Sequence, residues 1–432
     1  RDMFQEADIT GATESFTKHS YLVKNENELP RIIKEAFYIA STGRPGPVLI
    51  DIPSDIQAAK IQTLAIPETV NIRGYKPTTK GHIGQVKRAV KAISESKRPL
   101  IIAGGGVILS HAQNELLGFV EKTGIPLVHT LMGKGSLPTQ NKHYFGMIGN
   151  HGFSEANRAV SKADLLIIIG TRVADRTWGG VSDKINEGAR IIHIDVDPAE
   201  IGKNVGIQIP LVGDAKTILT QMIDRIERIN TDQWLSELNS NKGAVRRKTT
   251  DLVNPKYAIE TISKKLNDEA IIVADVGQNQ MWAARYFEDK IGRSFLTSGG
   301  LGTMGYGLPA AVGAKIAAPK RQVLAVLGDG GFQMSLQELG TISHNKLGII
   351  ILLFNNSGLG MVRELQDRFY GKVNAVELDK NPDFIKLCDA YKIKGIRITT
   401  DSELEDAFEK AIRHKGPFLV ECVVDPNENT LL

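Results

Sequence analysis

Short apolar runs such as QVLAVLGD and GIIILLFNN recur along the chain, separated by longer stretches with apolar residues at helical spacing. Runs of this length match strands buried on both faces, and the amphipathic stretches between them match crossover helices. The alternation predicts βαβ units on parallel sheets, so the fold class is α/β. With 432 residues, 42% of them hydrophobic, the chain is long enough to bury more than one core.

Residues 1–66 offer one helix, LPRIIKEAFYIASTG, and one strand, GPVLIDIP, which is too little for a complete domain. Residues 67–81, PETVNIRGYKPTTKG, carry the Pro, Gly and polar residues of a linker. Residues 82–232 hold the strands PLIIAGG, PLVHTL, DLLIIIG and RIIHIDVD. A second linker is expected over 233–254, and residues 255–432 hold AIIVADVG, QVLAVLGD, GIIILLFNN and PFLVECVVD. The expected organisation is two complete α/β domains and a fragment of a third.

Lys and Arg number 53 against 49 Asp and Glu, and no basic tract stands out, which argues against a nucleic-acid surface. No run of about 18 apolar residues suggests a membrane span. Cys388 and Cys422 form neither a disulfide framework nor a metal motif; they read as reduced core thiols, as in the cytoplasm. The nine histidines form no metal-binding pair. The sequence opens on RDMFQEADITG rather than on Met, and an upstream segment is expected to be missing.

In open parallel sheets, ligands sit beyond the carboxyl ends of the strands. Gly328, Asp329, Gly330 and Gly331 occupy such a position, directly after QVLAVL. Glycines let backbone N–H groups approach a phosphate, a helix N-terminus favours anions, and an aspartate among them can hold a bridging cation. An isolated GDG is more often a tight turn. Here, however, the next apolar run ends in Asn355 and Asn356, with twenty-four residues between Gly330 and Asn355, and SGLG behind it can turn a carbonyl inward. An Asp, an amide oxygen and a carbonyl suit Mg²⁺, with places left for diphosphate and water. A rival dinucleotide motif, GLGTMG at Gly300–Gly305, is disfavoured because RSFLTSG before it makes a poor central strand and Pro309 breaks the expected helix.

GDG followed at this spacing by NN resembles the thiamin-diphosphate enzymes. The resemblance implies Asp329, Asn356 and the Gly358 carbonyl as Mg²⁺ ligands. It places Val276, Gly277, Gln278, Asn279, Gly302, Gly328, Gly330, Gly331, Leu359, Gly360 and Met361 beside thiamin diphosphate, and Met304 as the bulky residue that bends the cofactor. DVGQNQMWAARYF, SGGLGTMGYGLPAA, GDGGFQMSLQELGT and NNSGLGMVRELQDRFYG together resemble the catalytic subunit of the acetohydroxyacid (acetolactate) synthase family, as do FQEADITG and STGRPGPVLIDIP. That family decarboxylates pyruvate and joins the two-carbon remainder to pyruvate or 2-ketobutyrate in branched-chain amino-acid biosynthesis. Its fold has several parallel-sheet domains, of which the N-terminal one would be truncated here.

In the middle region Arg172 and Arg176 lie beyond a strand end, Asp195 ends IIHIDVD, and Gly104 to Gly106 permit close backbone approach; each signal is weak alone. The resemblance makes this region an FAD site, with Arg44, Gly104, Gly105, Thr130, Leu131, Asn150, His151, Gly170, Arg172, Asp195 and Asp214 as neighbours. It assigns Arg176 to the acceptor carboxylate and puts Phe4 and Gln5 near the substrate. Homodimers or larger homo-oligomers and a regulatory small subunit are the partners it implies. The glutamate that the family carries in an N-terminal HE motif is not found, so the chain as given is expected to be inactive; Glu6 does not match that motif.

Three positions depart from the family pattern: Asn279 replaces a histidine and can still donate to a phosphate, Ser54 replaces a lysine, and Leu365 replaces the tryptophan of the acceptor pocket. The last predicts that pyruvate competes well as acceptor and that inhibitors stacking on the indole act weakly. Two alternatives fit the same motifs: another FAD- and thiamin-dependent enzyme, such as pyruvate oxidase or glyoxylate carboligase, or a cofactor-binding paralogue without activity.

Overall fold

A computed structural model of the chain describes residues 4, 6–62, 65–178, 185, 188–240, 251–290 and 294–430. Three parallel sheets follow one another along the chain. The first has two strands, β1 (His19–Leu22) and β2 (Val48–Asp51), joined through the helix Leu29–Ser41. Pro30 begins that helix without losing a needed donor, and Ile32, Ala36 and Ile39 bury one stripe of it.

The second sheet has the order β5-β4-β3-β6-β7-β8, from Tyr144–Met147, Leu127–His129, Pro99–Ala103, Leu165–Ile169, Arg190–Asp195 and Ile209–Val212. Its strand order reverses between β3 and β6. The third has the order β10-β9-β11-β12-β14-β13, from Phe295–Thr297, Ile271–Ala274, Val323–Gly328, Ile349–Asn355, Phe418–Val423 and Lys394–Ile398, and reverses between β9 and β11. Both are doubly wound, and ligands of such sheets bind at the reversal.

Successive residues of the inner strands enter opposite cores. Ile101, Ile167 and Ile192 face one side of the second sheet, and Leu100, Leu166 and Ile191 the other. Leu324 and Leu352 face one core of the third sheet, and Val323 and Ile351 its other core. Cys388 and Cys422 are free and buried within these cores, and burial pushes the Cys388 thiol up to about 12. The expected linker over 233–254 needs correction at its start. A helix, Asp232–Ser240, runs into it, and Trp234 and Leu238 pack on the second sheet, with the Trp234 indole donating to the Pro99 carbonyl at 3.1 Å.

A buried ion pair ties the second sheet to the third. Lys134 and Asp289, each 1% exposed, lie 2.9 Å apart, and Lys134 also donates to the Phe287 carbonyl at 2.6 Å. Beside them His129 Nδ1 faces the Thr130 carbonyl at 2.8 Å, so that nitrogen carries the proton, and Nε2 accepts from the Tyr144 hydroxyl at 2.7 Å. Burial, with Lys134 nearby, lowers the His129 pKa from 6.5 to about 3. The unfolded chain therefore takes up a proton at this residue before the folded one does. Its contribution to stability is complete above pH 6.5 and is lost as pH falls toward about 3, at about 1.4 kcal/mol per pH unit. Urea unfolding is expected to show stability falling as pH goes from 7 to 5, and His129→Gln to reduce that fall.

Candidate active site

Three helices open where the strands around the third sheet's reversal end: Gln278–Tyr286 after β9, Asp329–Gln333 after β11 and Gly360–Tyr370 after β12. None has a side-chain bond from its N-cap residue; of their first-turn N–H groups, Gly330 N donates to Asp329 Oδ1 and Gln280 N to the Gly277 carbonyl. The helix at Asp329 is only five residues long, shorter than GDGGFQMSLQELG suggests. Its attraction for anions thus comes from individual N–H groups rather than from a long macrodipole.

Asp329 is buried at the centre. Its Oδ1 accepts from Gly330 N at 3.0 Å, and its Oδ2 accepts from Asn381 Nδ2 at 2.8 Å and Gly358 N at 3.2 Å. Burial nevertheless raises its pKa from 3.8 to about 6, with those bonds opposing the rise. The two asparagines divide the work. Asn355 donates to Glu421 Oε1 at 2.8 Å, which anchors the strand end, whereas Asn356 Nδ2 donates to Gln278 Oε1 at 3.0 Å, which turns its oxygen elsewhere. Between Asn356 and Gly358, Ser357 holds a left-handed φ of 52°, a strained conformation for a residue with a side chain.

These residues fit a divalent cation that arrives with its own oxygens. Asp329 offers a single charge, Asn356 an amide oxygen and Gly358 its carbonyl. Among the described residues no group of three His, Cys, Asp or Glu could hold a metal by itself. A hard cation that takes about six oxygens would have to draw the rest from a ligand such as a diphosphate and from water. Glycines keep the cradle bare: a Cβ on Gly331 would lie 2.2 Å from Asp275 Oδ2, and one on Gly330 would lie 2.7 Å from Leu359 and 3.6 Å from Met304 Cε. Gly277 at φ 141° and Gly302 at φ 69° have backbones that side chains resist.

One expectation is corrected. Asn279 is buried and spends its Nδ2 on the Asp275 carbonyl at 2.8 Å and the Val326 carbonyl at 3.1 Å. Its amide nitrogen braces β9 against β11 and is not directed at a phosphate. Asp275, which sequence reading passed over, ends β9 and accepts from Val276 N at 2.8 Å and from Gly305 N at 3.1 Å, so it ties down the Gly300–Gly305 loop; burial raises its pKa. A strand-end aspartate before VG was the available signal. Asn381 carried none, because it lies in a polar loop far from GDG in sequence.

At the reversal of the second sheet the backbones of two strand ends nearly touch. A Cβ on Gly104 would lie 2.4 Å from the Gly170 carbonyl oxygen, and Gly170 itself holds φ at 58°. Thr130 caps the turn Leu131–Gly133 beside them, and Gly105 abuts Met132. Asp195 closes β7, its pKa raised by burial, and Arg44 reaches the same region through Glu200 at 3.3 Å. A floor of backbone with an acidic residue at a neighbouring strand end is what a dinucleotide such as FAD requires. Asp214 is occupied as the cap of the helix Ala215–Ile223, accepting from Thr217 N at 3.0 Å. Arg172 is exposed.

The two sites meet at His151, on the Gly149–Gly152 turn, whose Nδ1 lies 3.0 Å from Thr430 Oγ1; burial lowers its pKa. Asn150 N donates to the Arg176 carbonyl at 3.4 Å, but the Arg176 side chain is 71% exposed and lies 3.7 Å from Asp175. Met361 packs with Met147 and Met281 between the sheets, and Leu365 is half-buried on the same helix as Met361. Phe4 is 92% exposed and is not brought to the site, and Gln5 lies outside the described residues.

Two family models match the chain. The model for the thiamine pyrophosphate enzyme C-terminal TPP-binding domain matches residues 275–422, and that for the thiamine pyrophosphate enzyme central domain matches residues 86–222. The chain is 45% identical to the "Probable acetolactate synthase large subunit" of Methanocaldococcus jannaschii, over 99% of this chain and 75% of the relative. It is 44% identical to the acetolactate synthase large subunit of Corynebacterium glutamicum, over 98% of this chain and 70% of the relative. With that of Haemophilus influenzae it shares 38% identity over 99% of this chain and 77% of the relative. Similarity of this degree along nearly its whole length shows that the chain belongs to the acetolactate synthase large-subunit family of thiamine pyrophosphate enzymes.

Proposed function

We infer that the protein forms acetolactate, by decarboxylating pyruvate and joining the two-carbon remainder to the keto carbon of pyruvate or 2-ketobutyrate, in branched-chain amino-acid biosynthesis. The observation that carries this reading is the buried Asp329 beside Asn356 and Gly358 at the reversal of the third sheet. Thiamin diphosphate, when bound, supplies the electron sink for decarboxylation. Asp329, Asn356 and the Gly358 carbonyl would hold Mg²⁺, the glycines of Gly328–Gly331 would admit the diphosphate, and Met304, next to Gly330, would support the bent cofactor. Gly104, Gly105, Gly170, Thr130, Leu131 and Asp195 would hold FAD. Arg176, with an exposed side chain, would meet the acceptor carboxylate.

The same reading proposes a division into 1–66, 82–232 and 255–432, the middle unit extended through the helix ending at Ser240. It proposes a homo-oligomer, a cytoplasmic setting and, because relatives are named large subunits, a smaller regulatory partner. Among the described residues no helix is long and apolar enough to cross a membrane.

Acetolactate formation from pyruvate by the full-length protein, with Mg²⁺, thiamin diphosphate and FAD omitted in turn, tests the activity. Product that needs all three is expected; hydrogen peroxide or tartronate semialdehyde in its place would refute the reading. Leu365 makes a second expectation. One methylene is worth about 1–3 kcal/mol in a fitted pocket, so Leu365→Trp should raise the preference for 2-ketobutyrate over pyruvate about tenfold, read as the product ratio with both acceptors present.

A further inference from the structure

Gln278 begins the helix after β9, and its side chain is buried between two kinds of partner. Its nitrogen donates to Glu364 Oε2 at 3.1 Å and to the Glu428 carbonyl at 2.7 Å. Its oxygen accepts from Asn356 Nδ2 at 3.0 Å. The Glu428 carbonyl can only accept, so the nitrogen of Gln278 must face it and the oxygen must face Asn356. Asn356 must then give its nitrogen to Gln278 and turn its oxygen away. Reversing either amide would set like against like in a buried site, where an unmade hydrogen bond is costly.

The far end of this relay is itself fixed. Thr430 donates to Glu364 from both its backbone nitrogen and its hydroxyl, each at 2.8 Å. The near end is closely fitted: a Cβ on Gly360 would lie 2.0 Å from Gln278 Oε1 and 2.5 Å from Asn356 Nδ2. Neither the need for glycine at the start of that helix nor a buried glutamate one turn further on is explained by contact with a cofactor.

We propose that Gln278 is a positioning residue that fixes the sense of the Asn356 carboxamide, so that oxygen rather than nitrogen is presented to the divalent cation. Glu364 and the Glu428 carbonyl are the acceptors that set the sense of Gln278. The proposal rests on the reading of Asp329, Asn356 and Gly358 as the Mg²⁺ site, and it gives Gln278 a task other than contact with thiamin diphosphate.

The test is calorimetric titration of thiamin diphosphate into the full-length protein at a series of Mg²⁺ concentrations. Residues that orient metal ligands typically change metal affinity by about 10–100-fold when replaced. Gln278→Met should therefore raise the Mg²⁺ concentration for half-maximal binding about tenfold, while saturating Mg²⁺ restores the affinity for thiamin diphosphate. Glu364→Gln, which keeps shape and volume, should shift it in the same direction. A loss of thiamin diphosphate affinity in both variants that persists at saturating Mg²⁺ would show a packing role and overturn the proposal. An unchanged Mg²⁺ requirement in Gln278→Met, with the wild type still Mg²⁺-dependent, would overturn the proposal. Binding by the wild type that ignores Mg²⁺ would instead overturn the site reading beneath it.

Discussion

Asp329→Asn is expected to abolish Mg²⁺-dependent binding of thiamin diphosphate and, at the same time, to raise the unfolding temperature of the cofactor-free protein. Both effects follow from one fact: a carboxylate sits in a nearly water-free site with three neutral donors and, among the described residues, no ion-paired cation. Its raised pKa reflects what burial costs the charge. Removing that charge takes away the only full negative charge the three candidate ligands offer to the cation. A loss of about 3 kcal/mol of attraction corresponds to roughly a hundredfold in affinity. Without the cation the same removal relieves a buried charge, which should add a few degrees to Tm. Titration calorimetry and thermal unfolding, measured on the same preparations, read the two effects separately. A variant with lower Tm and unchanged cofactor affinity would mean that Asp329 is a structural residue.

On the proposed placement of FAD beside Gly104, Gly104→Ala should cost the protein its flavin and leave thiamin diphosphate binding intact. The added Cβ would lie 2.2 Å from Thr171 Cβ, 2.4 Å from the Gly170 carbonyl oxygen and 2.7 Å from Thr171 Cα. Backbone atoms cannot step aside as a side chain can, so β3 and β6 must part where their ends meet. Overpacking of this kind costs about 1–3 kcal/mol, concentrated at the floor of the site. Flavin content, read from absorbance after gel filtration, should fall about tenfold or more. Thiamin diphosphate affinity, which belongs to the other sheet, should stay close to wild type. Gly105→Ala is the milder comparison, because its Cβ would meet the flexible Met132 at 3.1 Å. Retained flavin in Gly104→Ala would contradict the placement of the dinucleotide at this reversal.

What could be read from the sequence depended on where a strand lies in its sheet. β3, β6, β9, β11, β12 and β14 are interior strands, buried on both faces, and each appears as an uninterrupted apolar run. The strands that escaped notice, β1, β5, β8, β10 and β13, all lie at edges. KGIRI in β13 and HSYL in β1 are half-exposed and carry polar residues, so nothing in their periodicity separates them from loops.

The site was legible for the same reason where it consists of strand ends. GDG and NN both follow interior runs, and parallel pairing of β11 with β12 brings them side by side. The parts contributed by loops and by side chains reaching across elements were not legible. Asn381 meets Asp329 across 52 positions, and Thr430 meets Glu364 across 66. Asn279 was legible as a position but not as a role, since only the packing of β9 on β11 shows that its amide is already spent.

The central claim is that the strand ends around Asp329 form a site for a diphosphate bridged by a metal. Calorimetric titration of thiamin diphosphate into the full-length protein, with Mg²⁺ and again with excess chelator, addresses it most directly. Saturable binding that requires Mg²⁺ and disappears in Asp329→Asn is the predicted result. Equal binding in chelator, or Mg²⁺-dependent binding that survives Asp329→Asn unchanged, would contradict it.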